Sequence, residues 1–224
     1  DGLLRHRSRD LVGILNGIDT EVWNPETDEY LPAHYSVDDL SGKAVCKLVL
    51  QETFGLPSDP TVPLFGIVTR LTDQKGIAEM FGPGYGALPQ VSANMDVQMA
   101  VLGSGDRWCE DEIRALSQRF ANFKGRIGYD ERLAHLIEAG SDFFIMPSRY
   151  EPCGLNQMYS LRYGTLPVVH RTGGLADTVE NYCQDTGEGT GFMFDDLTPK
   201  ALYNTVGWAT WAWYNRQEHI DLMR

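Results

Sequence analysis

A single carboxylate, Glu151, stands in the turn PSRYEPCG between an apolar run and a helical pattern. The run at residues 142–146 (DFFIM) is typical of a buried parallel strand, so Glu151 is expected just past the carboxyl end of that strand. A second apolar run, at residues 166–170, precedes the pair Gly173-Gly174 at the start of another helical pattern. Open α/β sheets bind ligands at this edge, where N–H groups at helix starts can receive anions. The spacing therefore predicts a pocket for an anionic ligand that carries hydroxyl groups.

Two cations are expected at the same edge. Arg70 and Lys75 occupy the turn after the apolar run LFGIVT at residues 64–69. In a parallel sheet this turn faces the same side as Glu151, so two fixed cations could hold a diphosphate there without a metal ion. Taken alone, Arg70 and Lys75 could equally be solvated loop charges.

The elements that must position these residues alternate along the chain. Apolar runs typical of strands alternate with amphipathic helical patterns, which predicts an α/β fold, a Rossmann-like doubly wound parallel sheet. Predicted strands lie at residues 64–69, 97–102, 126–129, 142–146 and 166–170, and predicted helices at residues 42–54, 111–120, 131–139 and 199–223. A further short strand is predicted at residues 11–15 (LVGIL), and the Gly- and Pro-rich residues 81–89 predict a helix broken by an inserted loop.

Three local predictions concern which residues are buried. The apolar residues Ala44, Val45, Leu48 and Val49 indicate the inner face of the helix at residues 42–54, which Ser41 is expected to cap and Gly55 to end. His135 and His170 are expected on the surface or on a helix face. The tryptophans of the last helix predict a face buried in the core or against another domain: Trp208, Trp211 and Trp213.

Composition limits the class of protein. A chain of 224 residues with 42% hydrophobic and 11% aromatic residues can fold as one domain, residues 1–224. A net charge of −12 argues against nucleic acid or an anionic membrane as the main partner. The four cysteines are widely spaced without a C-x-x-C motif, so no zinc site or other metal site is expected. We expect the cysteines to be reduced thiols in a cytosolic protein.

Several long motifs make the sequence specific. The stretches VTRLTDQKG (68–76), PSRYEPCGLNQMYSLRYGTLPVV (147–169) and RTGGLADTV (171–179) resemble bacterial glycogen synthases and plant starch synthases. So do NGIDTEVWNPETD (16–28) and GTGFMFDD (189–196), in the expected order along the chain. The resemblance implies the C-terminal, nucleotide-sugar-binding domain of a two-domain glycosyltransferase of the GT-B type. The N-terminal acceptor domain is then missing, as is its Lys-x-Gly-Gly-Leu motif, and the lack of an initiator Met also indicates a piece of a longer protein.

The resemblance also implies roles for particular residues. Arg70 and Lys75 would contact the diphosphate of ADP-glucose, and Glu151 would hydrogen-bond the glucose hydroxyls. Tyr129 would flank the adenine, and Asn16 would approach the cleft from a turn between the domains. The remaining implied contacts come from glycine turns and helix starts, by backbone N–H groups or close approach: Cys153, Gly154, Leu155, Asn156, Gly173 and Gly174. Cys153 is expected to be a small turn residue and not a nucleophile.

The implied activity is transfer of glucose from ADP-glucose to the non-reducing end of an α-1,4-glucan with retention of configuration. No metal or other cofactor is expected. The compartment would be the bacterial cytoplasm, or a plastid for a plant starch synthase. The isolated chain would bind ADP without elongating glucan. Two alternatives remain open: a non-catalytic nucleotide- or glucan-binding module, and a related transferase that uses UDP-glucose.

Overall fold

Six strands form one sheet in a computed structural model that describes residues 2–215. Their bounds are β1 Leu64–Leu71, β2 Gln98–Gly105, β3 Phe123–Ile127, β4 Phe143–Met146, β5 Leu166–His170 and β6 Phe192–Phe194. Every neighbouring pair is parallel, and the order across the sheet is β3–β2–β1–β4–β5–β6. The order reverses between β1 and β4, as in Rossmann-like doubly wound folds, so the predicted fold class is confirmed.

Helices connect the strands and cover both faces of the sheet. The α-helices are α1 Gly2–His6, α2 Ser41–Phe54, α3 Ile77–Phe81, α4 Ala87–Asn94, α5 Arg107–Arg119, α6 Glu131–Gly140, α7 Asn156–Arg162, α8 Gly173–Thr178 and α9 Pro199–Tyr214. Short 3₁₀ turns lie at Ser8–Asp10 and Asp73–Lys75. The helix break predicted at residues 81–89 is confirmed, and it separates α3 from α4. The part of the predicted last helix beyond residue 215 lies outside the described residues.

Two hydrophobic cores lie on opposite faces of the sheet because side chains alternate along each strand. On β1, Phe65 and Ile67 face a core formed with α3, α4, α5 and α9. Leu64 faces the second core, formed with α2 and α6. The prediction that the tryptophans of α9 form a buried face is confirmed in part. Trp213 is buried in the first core and donates Nε1–H to the Thr61 carbonyl (2.9 Å), whereas Trp211 is 40% exposed.

The strand predicted at residues 11–15 is wrong. These residues lie outside the sheet and in no regular element, and Val12 and Ile14 are 85% and 89% exposed. An apolar run predicts burial, but a strand forms only where a neighbouring strand takes its backbone hydrogen bonds. No strand within residues 2–215 pairs with this segment.

The predicted inner face of α2 is wrong for Ala44, Val45 and Leu48, whereas Val49 packs partly buried against the second core. The helix itself and its Gly55 end (φ +72°) are confirmed. Val45 and Leu48 are exposed, and Lys43 and Lys47 are buried instead. Lys43 Nζ donates to the carbonyls of Ala139 and Tyr163 and to the Thr165 hydroxyl at 2.7–3.1 Å. Burial lowers the pKa of Lys43 to about 8. Ser41 is the first residue of α2 and does not cap it: the N-cap is Leu40, which makes no side-chain capping bond.

The loop at residues 19–40 is anchored on α6 and α7 by aromatic stacking and a buried carboxylate. The Trp23 ring stacks between His135 (3.7 Å) and Tyr159 (3.8 Å). His135 Nδ1 lies 2.7 Å from Asp28 Oδ2, and Tyr163 donates its hydroxyl to the same oxygen. Burial raises the pKa of Asp28, but these hydrogen bonds outweigh burial and leave the pKa below its usual value. Of the two positions expected for His135, the surface or a helix face, the structure shows the second: His135 is buried on the inner face of α6 and anchors the loop.

Candidate functional site

A cavity of about 320 Å³ opens at the carboxyl ends of β1 and β4, where the strand order reverses. This is the position at which open α/β sheets bind ligands, because the connections to either side diverge and leave a crevice. The lining comes from the ends of β1, β2 and β4, from the turn after β3 and from the start of α7. Seven predicted site residues are among those that line it: Arg70, Lys75, Tyr129, Glu151, Gly154, Leu155 and Asn156.

Glu151 is the buried carboxylate of this cavity, with 7% of its surface exposed. Lys75 Nζ forms a salt bridge with Glu151 Oε2, and the Ser148 hydroxyl donates to the same oxygen at 3.1 Å. Among residues 2–215, no protein group hydrogen-bonds the second oxygen, Oε1. The carboxylate is thus oriented from one side and keeps one oxygen available to a ligand.

The two loops that carry Lys75 and Glu151 are bound to each other. Arg149 N–H donates to the Gln74 carbonyl (2.8 Å), and Gln74 Nε2 donates to the Tyr150 carbonyl (3.0 Å). Gly76, at φ +70°, lies so close that a Cβ atom there would be 2.1 Å from the Pro147 carbonyl oxygen. Lys75 is therefore held beside Glu151 by backbone contacts as well as by its own charge.

Arg70 is the second cation at the cavity. It lies near the end of β1, is exposed, and is paired in register with Ser104 of β2. Within the described chain, no carboxylate forms a salt bridge with Arg70, whereas Lys75 is paired with Glu151. Arg70 therefore contributes an uncompensated positive charge, which suits a phosphate or another anion.

The start of α7 is joined to β1 across the cavity. Asn156 Nδ2 donates to the Val68 carbonyl at 2.9 Å, and Gly154 precedes the helix at φ +74°, a conformation that glycine adopts readily. Tyr129, in the turn between β3 and α6, also lines the cavity and is 80% exposed. An exposed aromatic ring at a cavity mouth can stack on a planar ligand group.

Four predicted site residues do not line the cavity. Asn16 is exposed in the segment before α2, and Cys153 lies in the turn after Glu151. Gly173 and Gly174 begin α8 and pack directly behind this turn: added Cβ atoms would lie 2.1 Å from the Glu151 carbonyl oxygen and 2.0 Å from that of Cys153. These glycines allow the helix to approach the turn closely, so their contribution to the site is indirect.

Sequence reasoning missed several residues of the site. Ser148 hydrogen-bonds Glu151, and Gly103 and Ser104 at the end of β2 line the cavity. The pair at the end of β2 could have been found from its position, since β2 neighbours β1 and its end faces the same edge. No sequence signal distinguishes Ser148 from an ordinary turn serine.

No group of three or more His, Cys, Asp or Glu side chains within residues 2–215 is arranged to hold a metal ion. Within the same range, no helix has the length and apolar character needed to cross a membrane.

The sheet order and the position of the cavity define a Rossmann-like fold, and solved structures that it resembles identify this fold as one half of a GT-B glycosyltransferase. The catalytic domain of starch synthase IV from Arabidopsis thaliana, solved bound to ADP and acarbose, superposes with a TM-score of 0.89 at 35% identity, covering 99% of this chain and 46% of that one. The C-terminal domain of a group 1 glycosyl transferase from Francisella tularensis gives a TM-score of 0.63 at 13% identity, covering 93% of both chains, and shares the fold.

The chain belongs to the glycosyl transferases group 1 family, whose model matches residues 51–210. It is 62% identical to a glycogen synthase of Treponema denticola over 100% of this chain and 46% of that protein. It is 52% identical to glycogen synthase 1 of Geobacter metallireducens over 99% of this chain and 43% of that protein. The chain therefore spans about half the length of the relatives that it matches.

Proposed function

We propose that this chain is the donor-binding half of a glycogen synthase, which transfers glucose from ADP-glucose to the non-reducing end of an α-1,4-glucan with retention of configuration. The observation that carries the proposal is the convergence of Arg70, Lys75 and Glu151 on one cavity at the reversal of strand order. The similarity to glycogen synthases along the whole chain supports the reaction class. The starch synthase solved with ADP and acarbose supports a nucleotide donor and a glucan acceptor.

The charges of the cavity suit the departure of a nucleoside diphosphate. As the bond between glucose and diphosphate breaks, negative charge grows on the leaving phosphate oxygens and the sugar becomes oxocarbenium-like. Arg70 and Lys75 would stabilise that growing charge more strongly than the charge of the bound substrate, so they would raise the rate as well as the affinity. A guanidinium suits two phosphate oxygens at once, and the Lys75 ammonium, held beside Glu151, is a compact point charge.

Glu151 is proposed to bind the glucose hydroxyls through Oε1. Lys75 and Ser148 both contact Oε2, so they fix the orientation of the carboxylate without occupying the other oxygen. A hydrogen bond from a sugar hydroxyl to a carboxylate is worth about 1.5–3 kcal/mol, more than one between neutral groups. Tyr129 would flank the base, and Asn16 would approach the cleft once the other half of the enzyme is present.

The other half is proposed to supply the acceptor site, because the chain covers 46% of its Treponema relative. This chain alone would bind ADP and would not elongate glucan. Incorporation of labelled glucose into glycogen by the purified chain alone would refute that part of the proposal.

Side-by-side calorimetric titration of this chain with ADP, UDP and ADP-glucose tests the donor. We expect ADP and ADP-glucose to bind and UDP to bind more weakly. Tighter binding of UDP than of ADP would indicate that the donor is UDP-glucose and not ADP-glucose. Binding without activity in the full-length protein would instead favour a non-catalytic binding module.

A further inference from the structure

A buried amide side chain, Gln157, supports the turn that follows Glu151. Gln157 has no exposed surface, and its Nε2 donates to the carbonyls of Cys153 (2.9 Å) and Gly154 (3.2 Å). The same nitrogen donates to the Thr178 hydroxyl (3.0 Å), which itself donates to the carbonyl of Gly174 (2.6 Å). Three oxygens on the turn and on α8 thus converge on one nitrogen.

The contacts also fix the orientation of the amide. Its Oε1 is buried without a hydrogen-bond partner among the described residues, and Nε2 faces all three oxygens. Rotating the amide by half a turn would place Oε1 against two carbonyl oxygens, which repel it. The unpaired Oε1 destabilises the fold, and the hydrogen bonds that Nε2 donates in this orientation offset that loss.

These contacts determine where the N–H groups of the turn can point. A trans peptide is planar, and the C=O of one residue points opposite to the N–H of the next. Holding the Cys153 carbonyl therefore directs the Gly154 N–H the other way, and holding the Gly154 carbonyl does the same for the Leu155 N–H. Within residues 2–215, neither N–H donates to a protein acceptor, and both residues line the cavity.

We propose that Gln157 is a positioning residue that keeps the N–H groups of Gly154 and Leu155 available to the phosphate and sugar oxygens of the donor. Gln157 does not line the cavity and acts through the turn. The inference rests on the proposed function, because it assumes a donor that presents such oxygens. It predicts that the phosphate- and sugar-dependent part of the affinity depends on Gln157, and that the affinity for the base does not.

The test compares Gln157→Met with Gln51→Met in the full-length protein. Gln51 is a matched control: it is a fully buried amide whose Nε2 donates to the Asp59 carbonyl (2.7 Å) and to Gln98 (2.8 Å), and it does not line the cavity. Competition titrations give the dissociation constants of ADP-glucose and of adenosine, which lacks phosphate and glucose. Gln157→Met should weaken ADP-glucose at least tenfold and change adenosine less than twofold, and Gln51→Met should leave both within twofold.

Two results would overturn the inference. One is binding of ADP-glucose by Gln157→Met within twofold of wild type, and the other is an equal loss of adenosine and ADP-glucose, which a general structural role would produce. If Gln157→Met does not fold, Gln157→Asn keeps a neutral amide that is one methylene too short to reach the carbonyls of Cys153 and Gly154, and it carries the same expectation. If the wild-type protein binds neither ligand, the proposed function itself falls, and the inference with it.

Discussion

The salt bridge between Lys75 and Glu151 can be tested by a double-mutant cycle with Lys75→Met and Glu151→Gln. The two side chains are 18% and 9% exposed, so the pair is largely removed from water. Two unit charges about 4 Å apart attract by about 4 kcal/mol at an effective dielectric constant of about 20. Removing one partner of a buried pair costs about 3–5 kcal/mol, mainly because the other charge stays buried without compensation.

The cycle should therefore be strongly non-additive. Lys75→Met leaves Glu151 with only the Ser148 hydroxyl and should lower the free energy of unfolding by about 3 kcal/mol. Glu151→Gln should cost about 1 kcal/mol, because Lys75 can turn toward solvent. The double variant should also cost about 1 kcal/mol, since no uncompensated charge remains, which gives a coupling energy of about 3 kcal/mol.

Urea unfolding at pH 7 of the wild type and the three variants measures these differences. The single variant Lys75→Met should also melt about 6–12 °C lower, at about 2–4 °C per kcal/mol for a chain of this size. Lys200→Met, at an exposed lysine, serves as the control and should stay within about 0.5 kcal/mol of wild type. Additive single effects would mean that the salt bridge does not form in solution, and the description of the cavity would be wrong.

Four further results are expected. Lys75→Met should weaken ADP binding by about 1.5–3 kcal/mol in calorimetry, because a charged contact to the diphosphate is lost. Burial raises the pKa of Glu138, on α6, to about 8 in the folded protein, so as the pH rises this carboxyl loses its proton in the unfolded chain first. The free energy of unfolding of the wild type should therefore fall by up to about 1.4 kcal/mol per pH unit between pH 5 and 8. Glu138→Gln should flatten this pH dependence in urea titrations. Gly174→Ala should lower kcat/KM of the full-length enzyme at least tenfold, because its Cβ displaces the turn after Glu151. Trp23→Ala should lower the free energy of unfolding by about 1–3 kcal/mol in urea, since two stacked pairs are lost.

Each of these results has an outcome that contradicts it. An unchanged dissociation constant for ADP would remove Lys75 from the binding site. A Glu138→Gln variant whose stability follows the wild-type pH profile would mean that Glu138 ionises normally in the folded protein. Gly13→Ala is the control for Gly174→Ala, because nothing lies within 4 Å of its Cβ, and equal activity losses in the two would exclude a steric cause. No loss of stability in Trp23→Ala would show that the loop at residues 19–40 is held by other contacts.

Strands β1, β2, β4 and β5 and the ligand-binding edge could be predicted from sequence because their signals are local, whereas the strand predicted at residues 126–129 overlaps β3 only at residues 126 and 127, and β6 was not predicted. Short continuous apolar runs such as the one at residues 64–69 predict buried parallel strands, and the residues that follow them must lie at the edge of the sheet formed by the carboxyl ends of the strands. Arg70, Lys75 and Glu151 follow two such runs, so their convergence required only that the strands be parallel. What they bind there stays a prediction.

The inner face of α2 could not be predicted because two faces have acceptable helical spacing. One carries Val45 and Leu48, and the other carries Lys43, Cys46, Lys47 and Leu50. Buried lysines are rare, so hydrophobicity selects the first face. The second is buried because its two ammonium groups are bound mostly by distant groups: apart from the Pro60 carbonyl, 13 positions from Lys47, their hydrogen-bond partners lie more than 90 positions away in sequence. No local pattern contains that information.

The turn residues that support the site were missed for the same reason. Ser148 and Gln157 have side chains that suit any turn or helix, and only their contacts distinguish them. Asn16 was assigned to the site by resemblance, and in this chain it is exposed and does not line the cavity. A residue whose contacts come from another half of a protein cannot be located from one half.

The distribution of the five lysines makes the chain suited to amine-reactive labelling read out by mass spectrometry. Lys43 and Lys47 are buried and Lys124 donates to two backbone carbonyls, so these three amines should react slowly in the native protein. Lys200 is exposed and gives an internal reference for the reagent. Lys75 is then the reporter: its labelling relative to Lys200 would follow occupancy of the cavity without any engineered probe, in the isolated chain and in the full-length enzyme alike.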